Sequence, residues 1–250
     1  MYTLAILTGP SCVGKSPLLK AARDLYPEAL EPYEKVVLYT SRSPRPGEID
    51  GKDYYFRPRN TIDKLAHGEH IRAFEVRGDL QAIDVEELQK NLQHSPLIFE
   101  GNPYAARLIA QTAADFDISV HSLFLSPVNQ EEFSGLMDMQ SISAAGVITE
   151  MMRRKLLRRT RAQKGNLSLE DLQMVERRAG AAFEEIRMAP QFDYVLPNHD
   201  GEDSEHWEAL SFLFGDARKA VRAFVQLLDG KQSAPIETWS ESLFTGKDLV

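Results

Sequence analysis

The sequence has a single cysteine, Cys12, and only two tryptophans among its 250 residues. One cysteine excludes an internal disulfide framework and supplies no zinc-ligand set, so we expect a reducing compartment and a cytoplasmic location. No apolar run approaches the roughly 18 residues that a membrane-spanning helix requires. The start, MYTLAILTGP, has no basic leader of the secretory kind. We therefore expect neither a membrane anchor nor a secretory signal.

Basic residues are also in short supply, because 29 Lys and Arg stand against 37 Asp and Glu, a formal net charge of −8. Such an acidic protein is not expected to bind nucleic acid or an anionic membrane, although a local basic cluster can still hold a small anionic ligand. With 43% apolar residues, the chain is long enough to bury a sizeable core. The composition is typical of a globular, enzyme-sized protein.

Short apolar runs alternate with longer helical patterns, which is typical of an α/β fold with a parallel sheet and crossover helices. Strands are predicted at 3–7, 36–39, 96–99, 119–125 and 193–196. Helices are predicted at about 15–25, 84–93, 103–115, 147–161, 168–188 and 204–228. Ser168 with Asp171 three residues on indicates the start of one of these helices.

The domain organisation follows from the changes of composition along the chain. Residues 1–230 are assigned to one domain, with a core of 1–40, 84–136 and 181–230, an inserted lobe at 41–83 and a helical lid at 137–180. The mixed residues 231–250 are predicted to be a C-terminal surface appendage.

A phosphate-binding motif follows the first predicted strand. Gly9, Gly14, Lys15 and Ser16 satisfy the pattern G-x-x-x-x-G-K-[ST], and a predicted helix comes next. In such a P-loop the backbone N–H groups point at phosphate oxygens, the lysine neutralises the terminal phosphates, and the hydroxyl can ligate Mg²⁺. The motif predicts a nucleoside triphosphate site with Mg²⁺ as cofactor and Ser16 as metal ligand, and the family resemblance described below implies that the nucleotide is ATP. The predicted ATP-binding residues here are Gly9, Ser11, Cys12, Val13, Gly14, Lys15, Ser16 and Pro17.

Two residues of this loop are unusual. Cys12 stands where a glycine is common, and the anion site around it predicts a lowered thiol pKa and a sensitivity of ATP binding to oxidation. Pro17 falls in the first turn of the helix, where its missing N–H is tolerated. Because that N–H commonly serves the inner phosphate of the nucleotide, weaker ATP binding is a further hypothesis.

A second motif, TSRSPRPGEIDGKDYYF at residues 40–56, places Arg42 and Arg45 three residues apart with Tyr54 downstream. Two guanidinium groups and a phenol suit an anion with several oxygens. Together with the P-loop, this segment resembles the guanylate kinase family, whose pattern is T-x-R-x-x-R-x-G-E-x-x-G-x-D-Y-x-F. The resemblance continues through 68–88, 96–108, 177–186 and 192–200.

The resemblance implies a three-part kinase. It has a P-loop NTPase-type parallel-sheet core that holds ATP, an inserted acceptor-binding lobe and a helical lid whose arginines close over the phosphates. Arg159 and Arg178 are the implied lid arginines, with Arg158 and Arg177 as close rivals. Asn198 would lie on the adenine side. The residues assigned to catalysis are Lys15, Arg42, Arg159 and Arg178.

The implied acceptor site includes Arg42, Arg45 and Tyr54 for the phosphate, and Glu100, which would orient a Mg²⁺-bound water or the acceptor. The base-reading positions depart from the family, which usually has Ser or Thr, Glu, Tyr, Ser or Thr, and Asp at the positions of Leu38, Arg72, Gln81, Ile83 and Asn102. Guanine donors left unpaired would cost about 1–3 kcal/mol each, enough to change the substrate.

The resemblance implies ATP-dependent phosphorylation of a nucleoside monophosphate, by default GMP or dGMP. The changed base-reading positions leave open a kinase for a different phosphorylated nucleotide or small molecule. A non-catalytic phospholigand-binding module is a third possibility. The expected partners are ATP and a phosphorylated acceptor, and the sequence leaves the oligomeric state open.

Overall fold

The computed structural model describes residues 4–45, 47–116, 118–139, 141–208, 212–231 and 233–244. The strands are β1 (Leu4–Thr8), β2 (Glu34–Lys35), β3 (Tyr39–Thr40), β4 (Tyr55–Phe56), β5 (Ile71–Val76), β6 (Asp79–Asp84), β7 (Leu97–Glu100), β8 (Val120–Ser126) and β9 (Tyr194–Pro197). The helices are α1 (Lys15–Leu25), α2 (Pro27–Leu30), α3 (Arg59–Leu65), α4 (Val85–Leu92), α5 (Pro103–Ala114), α6 (Gln130–Met137), α7 (Ala144–Lys164), α8 (Leu169–Ile186) and α9 (Gly215–Leu228). Short 3₁₀ helices lie at Ala189–Gln191, Glu205–Trp207 and Glu241–Phe244.

The central sheet has the strand order β2-β7-β1-β8-β9, and every pairing in it is parallel. All five residues of β1 are buried, as expected of a central parallel strand that is covered on both faces. Leu4 and Ile6 point into a core with α5, α7 and α8, whereas Ala5 and Leu7 point into a core with α1 and α9. The structure confirms the predicted α/β class.

A second sheet, in the order β4-β3-β6-β5, is formed within residues 39–84 and so begins two residues before the lobe predicted at 41–83. Its β5–β6 hairpin turns at Arg77 and Gly78, which have φ of 52° and 92°. Two successive residues with positive φ are typical of a tight two-residue hairpin turn. The hairpin pairs Val76 with Asp79 beside the turn and Arg72 with Ile83 farther along.

The helices α7 and α8 form a long antiparallel pair in the predicted lid. The predicted capping box is confirmed, because the Ser168 hydroxyl accepts from Asp171 N while the Asp171 carboxylate accepts from Ser168 N. Helix α8 continues without a break across residue 180, where the sequence placed the boundary between lid and core.

Two predicted elements differ from the structure. The run at 36–39 is not one strand, because the chain crosses there from β2 in the central sheet to β3 in the second sheet. The helix predicted at 204–228 is described as a 3₁₀ helix at Glu205–Trp207 followed by α9 from Gly215. Its residues 209–211 lie outside the described part of the chain. The prediction also missed α2, α3, α6 and the short strands of the lobe.

The C-terminal segment packs on the main core, contrary to the prediction of a surface appendage. Trp239 and Phe244 are 3% and 7% exposed and surround Phe133 of α6, with ring centroids 5.5 and 4.9 Å away. Glu237 pairs antiparallel with Val195 of β9 through two backbone hydrogen bonds. Residues 232 and 245–250 of the predicted appendage lie outside the described residues.

No helix in the described part of the chain combines the length and the apolar character needed to cross a membrane.

Candidate active site

The phosphate loop connects β1 to α1 at the carboxyl edge of the central sheet. Gly9 has φ of 139°, and a Cβ there would lie 2.2 Å from the carbonyl oxygen of Leu125. Gly14 has φ of 102°, and its Cβ would lie 2.6 Å from Nδ2 of Asn198. Both positions require glycine on steric grounds. The close packing holds the loop at the N-terminus of α1, where phosphates are favoured.

Lys15 lies inside this loop and is 8% exposed. Its Nζ donates to the carbonyl oxygens of Gly9 and Pro10 at 2.9 and 2.8 Å. Burial lowers the pKa of Lys15, and the opposing charges of Glu202 and Glu100 resist that shift. The ammonium group is therefore held at the centre of the loop with anionic side chains around it.

Ser16 and Glu100 lie together beside the loop. The Ser16 hydroxyl donates to Oε1 of Glu100 at 2.6 Å. Glu100 is at the end of β7, which pairs directly with β1. The strand order brings together two oxygen donors that are 84 residues apart in sequence, and such a pair has the chemistry that Mg²⁺ prefers.

A cavity of about 760 Å³ joins the phosphate loop to the second sheet and the lid helices. Eight basic and five acidic side chains are among the described residues that line it. The cavity is thus locally positive in a chain whose formal net charge is −8. That local excess favours a ligand with several negative charges.

At the second-sheet end, Arg42 is held by Glu48. Its two terminal nitrogens donate to the two carboxylate oxygens of Glu48, each at 2.6 Å. The guanidinium group also lies over the Tyr54 ring, 4.9 Å from its centroid. Burial raises the pKa of Tyr54 against the influence of Arg42, so its phenol remains a neutral donor. Arg45 lines the same cavity, and all three predicted phosphate-holding residues therefore meet there.

The lid arginines reach the cavity from α7 and α8. Arg159 and Arg178 both line it, as does the rival Arg177, whereas the exposed Arg158 pairs instead with Asp203 at 2.6 Å.

Arg178 is 9% exposed, and no described residue accepts a hydrogen bond from it. Burial and the nearby Arg45, Arg159 and Arg77 lower its pKa to about 9, so the group is still a cation at neutral pH.

The five base-reading positions separate into two groups. Leu38, Gln81 and Asn102 line the cavity. Arg72 is exposed and Ile83 is a core residue at 1% exposure, and neither is among the described lining residues. Arg72 and Ile83 pair with each other across the β5–β6 hairpin. The Val76–Asp79 pair, which lines the cavity, is four residues farther along the strands, about 13 Å away at the usual rise per strand residue. The prediction that Arg72 and Ile83 bind the acceptor is therefore not supported by their position.

Several predicted ATP-binding residues are not among the described residues that line the cavity. Gly9, Ser11, Cys12, Lys15 and Ser16 line the cavity, whereas Val13, Gly14, Pro17 and Asn198 do not. Val13 is a buried core residue. Asn198 is fully buried, and its Nδ2 donates to the carbonyl oxygens of Val13 and Asp200 at 2.8 and 2.7 Å. Asn198 braces the phosphate loop from behind and does not face the cavity.

The prediction of a lowered Cys12 pKa is wrong. Cys12 is 1% exposed, and burial, together with the negative charge of Glu202, raises the pKa of its thiol to about 12. The nearby cations Arg159 and Lys155 are too weak to reverse this. A protonated, buried thiol reacts poorly with oxidants, so the hypothesis of oxidation-sensitive ATP binding loses its basis.

The sequence analysis missed six charged residues that line the cavity: Lys35, Glu48, Asp53, Arg77, Asp79 and Glu202. Glu48 was visible as the glutamate of the second motif. Arg77, at the hairpin turn, pairs with Glu185 of α8 and so joins the lobe to the lid helices. Asp79 and Glu202 carry no local sequence signal, because only the packing of distant segments brings them to the cavity.

Comparisons with known proteins agree with this geometry. The sequence model of the guanylate kinase family matches residues 1–156. The guanylate kinase of Trichormus variabilis is 31% identical over 201 residues, which cover 80% of this chain and 83% of that protein. The guanylate kinase of Streptomyces kasugaensis is 30% identical over 202 residues, with 80% and 82% covered.

The fold agrees with a solved structure as well. The crystal structure of guanylate kinase from Anaplasma phagocytophilum matches with a TM-score of 0.51 at 20% identity, covering 93% of this chain and 87% of that one. As the P-loop and the second arginine motif predicted, the chain belongs to the guanylate kinase family, a family of nucleoside monophosphate kinases.

Proposed function

We propose that the protein transfers the terminal phosphoryl group of ATP to a nucleoside monophosphate in a Mg²⁺-dependent reaction, with GMP or dGMP as the default acceptor. One observation carries the proposal. A single cavity has the phosphate loop with Lys15 at one end and Arg42, Arg45 and Tyr54 at the other. Two anion-binding groups facing one space are what a reaction between two phosphorylated ligands requires.

The side chains around the cavity suit this chemistry. Phosphoryl transfer asks the protein mainly to align two anions and to neutralise charge in the transition state. Lys15 would hold the terminal phosphates of ATP, and Arg42 with Arg45 would hold the phosphate of the acceptor. Arg178, buried without a hydrogen-bond partner among the described residues, has donors available for the transferred group.

The residues beside the loop also fit a magnesium ion. Mg²⁺ prefers oxygen ligands and usually binds through one or two protein groups plus the phosphates of the substrate. Ser16 would bind the ion directly and Glu100 would orient a water on it, which agrees with their direct hydrogen bond. When bound, the ion would neutralise charge on the outer phosphates.

A second candidate keeps the kinase and changes the acceptor. Asn102 Oδ1 accepts from Ala105 N at 2.9 Å, and Asn102 Nδ2 donates to Gln81 Oε1 at 3.1 Å. The amide pair therefore offers the cavity the NH₂ group of Gln81, which can only donate. Guanine presents N–H donors on the edge that the family reads with carboxylates, so this wall suits a ligand edge that accepts hydrogen bonds.

The test is an assay of ADP release with ATP, Mg²⁺ and a panel of acceptors: GMP, dGMP, AMP, CMP, UMP, IMP and small phosphosugars. We expect turnover with GMP at about 1–100 per second, the usual kinase range. Lys15→Ala should reduce it at least a hundredfold, because the main cation on the ATP phosphates is lost.

The outcomes separate the candidates. Turnover of another acceptor in preference to GMP would establish the changed specificity. Binding of phosphorylated ligands without turnover of any acceptor would contradict the kinase proposal and favour a non-catalytic module.

A further inference from the structure

The loop that follows β9, residues 198–208, is fastened to the phosphate loop. The backbone N–H of Glu202 donates to the carbonyl oxygen of Cys12 at 3.1 Å. The Trp207 indole donates to the carbonyl oxygens of Asp200 and Gly201, each at 2.9 Å, and packs beside Gly14. These contacts fix the position of the Glu202 backbone relative to the P-loop.

Glu202 lines the cavity together with Lys15, whose pKa its negative charge raises. The Glu202 carboxylate is 17% exposed and accepts a hydrogen bond from a terminal nitrogen of Arg159 at 2.5 Å. Burial alone would raise the pKa of Glu202, but Arg159, Lys15 and Arg178 outweigh burial and hold the pKa below its usual range. Among the charged neighbours of Lys15 and of Arg159, Glu202 has the largest effect on the pKa of each.

The cations around Glu202 can donate more hydrogen bonds than the described residues accept. Nε of Arg159 is buried and has no hydrogen-bond partner in the described part of the chain. Arg178 has no hydrogen-bond acceptor among the described residues, and Lys15 donates only to backbone carbonyls. One carboxylate thus stands among three cations that a chain of phosphates would satisfy more fully, because each phosphate offers several charged oxygens.

We propose that Glu202 is an internal counter-anion for Lys15 and Arg159, which the terminal phosphates of ATP must displace, so that this residue sets the affinity for nucleoside triphosphate. The proposal rests on the proposed function, because it takes the loop around Lys15 to be the triphosphate site. If the Glu202 carboxylate stayed in place, it would repel the phosphates at short range. Its hydrogen bond with Arg159 also competes with a contact between Arg159 and the phosphates.

The neighbouring residue offers a matched control. Asp203 pairs with Arg158, one position along the same helix, at 2.6 Å. Neither Asp203 nor Arg158 is among the described residues that line the cavity, so this pair joins the same loop to the same helix without facing the phosphates. Comparing the two pairs separates an effect of the anion in the cavity from an effect of tying the loop to the lid.

The experiment measures the dissociation constants of ATP and of inorganic tripolyphosphate, each with Mg²⁺, by calorimetry on the full chain. Glu202→Gln should bind both at least tenfold more tightly than the wild type, whereas Asp203→Asn should stay within twofold. If Glu202→Gln does not fold, Glu202→Asp retracts the carboxylate from Arg159 and should also tighten binding.

Unchanged or weaker binding by the folded Glu202 variant, with measurable binding by the wild type, overturns this inference alone. Weaker binding would make Glu202 a positioning residue for Arg159. If neither the wild type nor the variants bind tripolyphosphate or ATP, the triphosphate site itself is wrong and the proposed function fails with the inference.

Discussion

Asn102 and Gln81 define the acceptor wall of the cavity at the scale of single residues. Asn102 begins α5 as its N-cap, which occupies its carbonyl oxygen, and its NH₂ group is occupied by Gln81. The identity of this one side chain therefore sets whether the wall donates or accepts hydrogen bonds. Arg72, another of the changed base-reading positions, is exposed and is not among the described residues that line the cavity.

Asn102→Asp should raise kcat/KM for GMP about tenfold. Aspartate keeps the helix cap and adds a carboxylate oxygen that can accept from guanine, and satisfying one buried donor is worth about 1–3 kcal/mol. Arg72→Glu, the variant that the sequence alone would favour, is the matched control and should change GMP use less than twofold. The ADP-release assay compares the two, and a gain confined to Arg72→Glu would show that Arg72 reads the base.

At the scale of single elements, the turn between α7 and α8 is held by side chains that are close together in the sequence. Lys164 ends α7 and Asp171 lies in the first turn of α8, and their side chains pair at 2.5 Å. Lys164, together with the backbone and hydroxyl of Ser168, lowers the pKa of Asp171 to about 2. A carboxyl whose folded pKa is depressed stabilises the fold above its unfolded pKa, and that stabilisation is lost as the pH falls through the folded value.

Asp171→Asn should therefore lower the urea midpoint at pH 7, and its difference from the wild type should shrink between about pH 4 and pH 2. In that range the wild-type carboxyl becomes protonated, first in the unfolded and then in the folded state. Urea unfolding at pH 7, 5, 3 and 2 measures the difference. Glu170→Gln, at an exposed carboxylate of the same turn, is the control. A difference that does not vary with pH would show that the charge of Asp171 is not responsible.

Helix α9 shows where the prediction of elements from sequence stops. The periodic pattern from residue 204 predicts a helix, and yet α9 begins only at Gly215. Its third residue, Ala217, donates to the side chain of Asp200 at 2.9 Å. This cap is 17 residues away in sequence, so rules that inspect neighbouring residues for a cap cannot find it. The bounds of α1, by contrast, were predicted from its motif and apolar period.

At the scale of the whole molecule, the C-terminal segment completes the main core. Phe133, Trp239 and Phe244 form one aromatic cluster, and the Trp239 indole donates to Glu237 at 2.7 Å. The same Glu237 carboxylate accepts from Gln130 N at the start of α6 at 3.0 Å. The segment thus joins the edge of the central sheet to α6, which connects β8 to the lid helices.

Trp239→Ala should lower the free energy of unfolding by about 3–5 kcal/mol, the usual cost of deleting a buried aromatic side chain. Phe116→Ala removes an aromatic side chain that is 45% exposed and should change it by about 0.5 kcal/mol or less. Chemical unfolding followed by circular dichroism measures both. A Trp239 variant as stable as the Phe116 variant would restore the interpretation of the segment as an appendage.

The sequence by itself determined the phosphate loop, the second arginine motif and the alternation of strands and helices. These features depend on residue types at short, fixed spacings. The loop glycines, the paired arginines and the apolar periods can each be recognised within one contiguous segment. From them followed the family, the α/β class and the meeting of Lys15 with Arg42 and Arg45 at one site.

Only the tertiary structure decided which side chains line the cavity and which charged groups lie together there. Arg72 lies outside the cavity, Asn198 braces the loop from behind, and Glu202 reaches Arg159 across 43 residues of sequence. Burial, which raises the pKa of Cys12 to about 12, is likewise a property of the packed whole. Solvent exclusion and contacts between distant segments have no signature at short spacing, because they arise only when the sheet, the lobe and the lid are packed together.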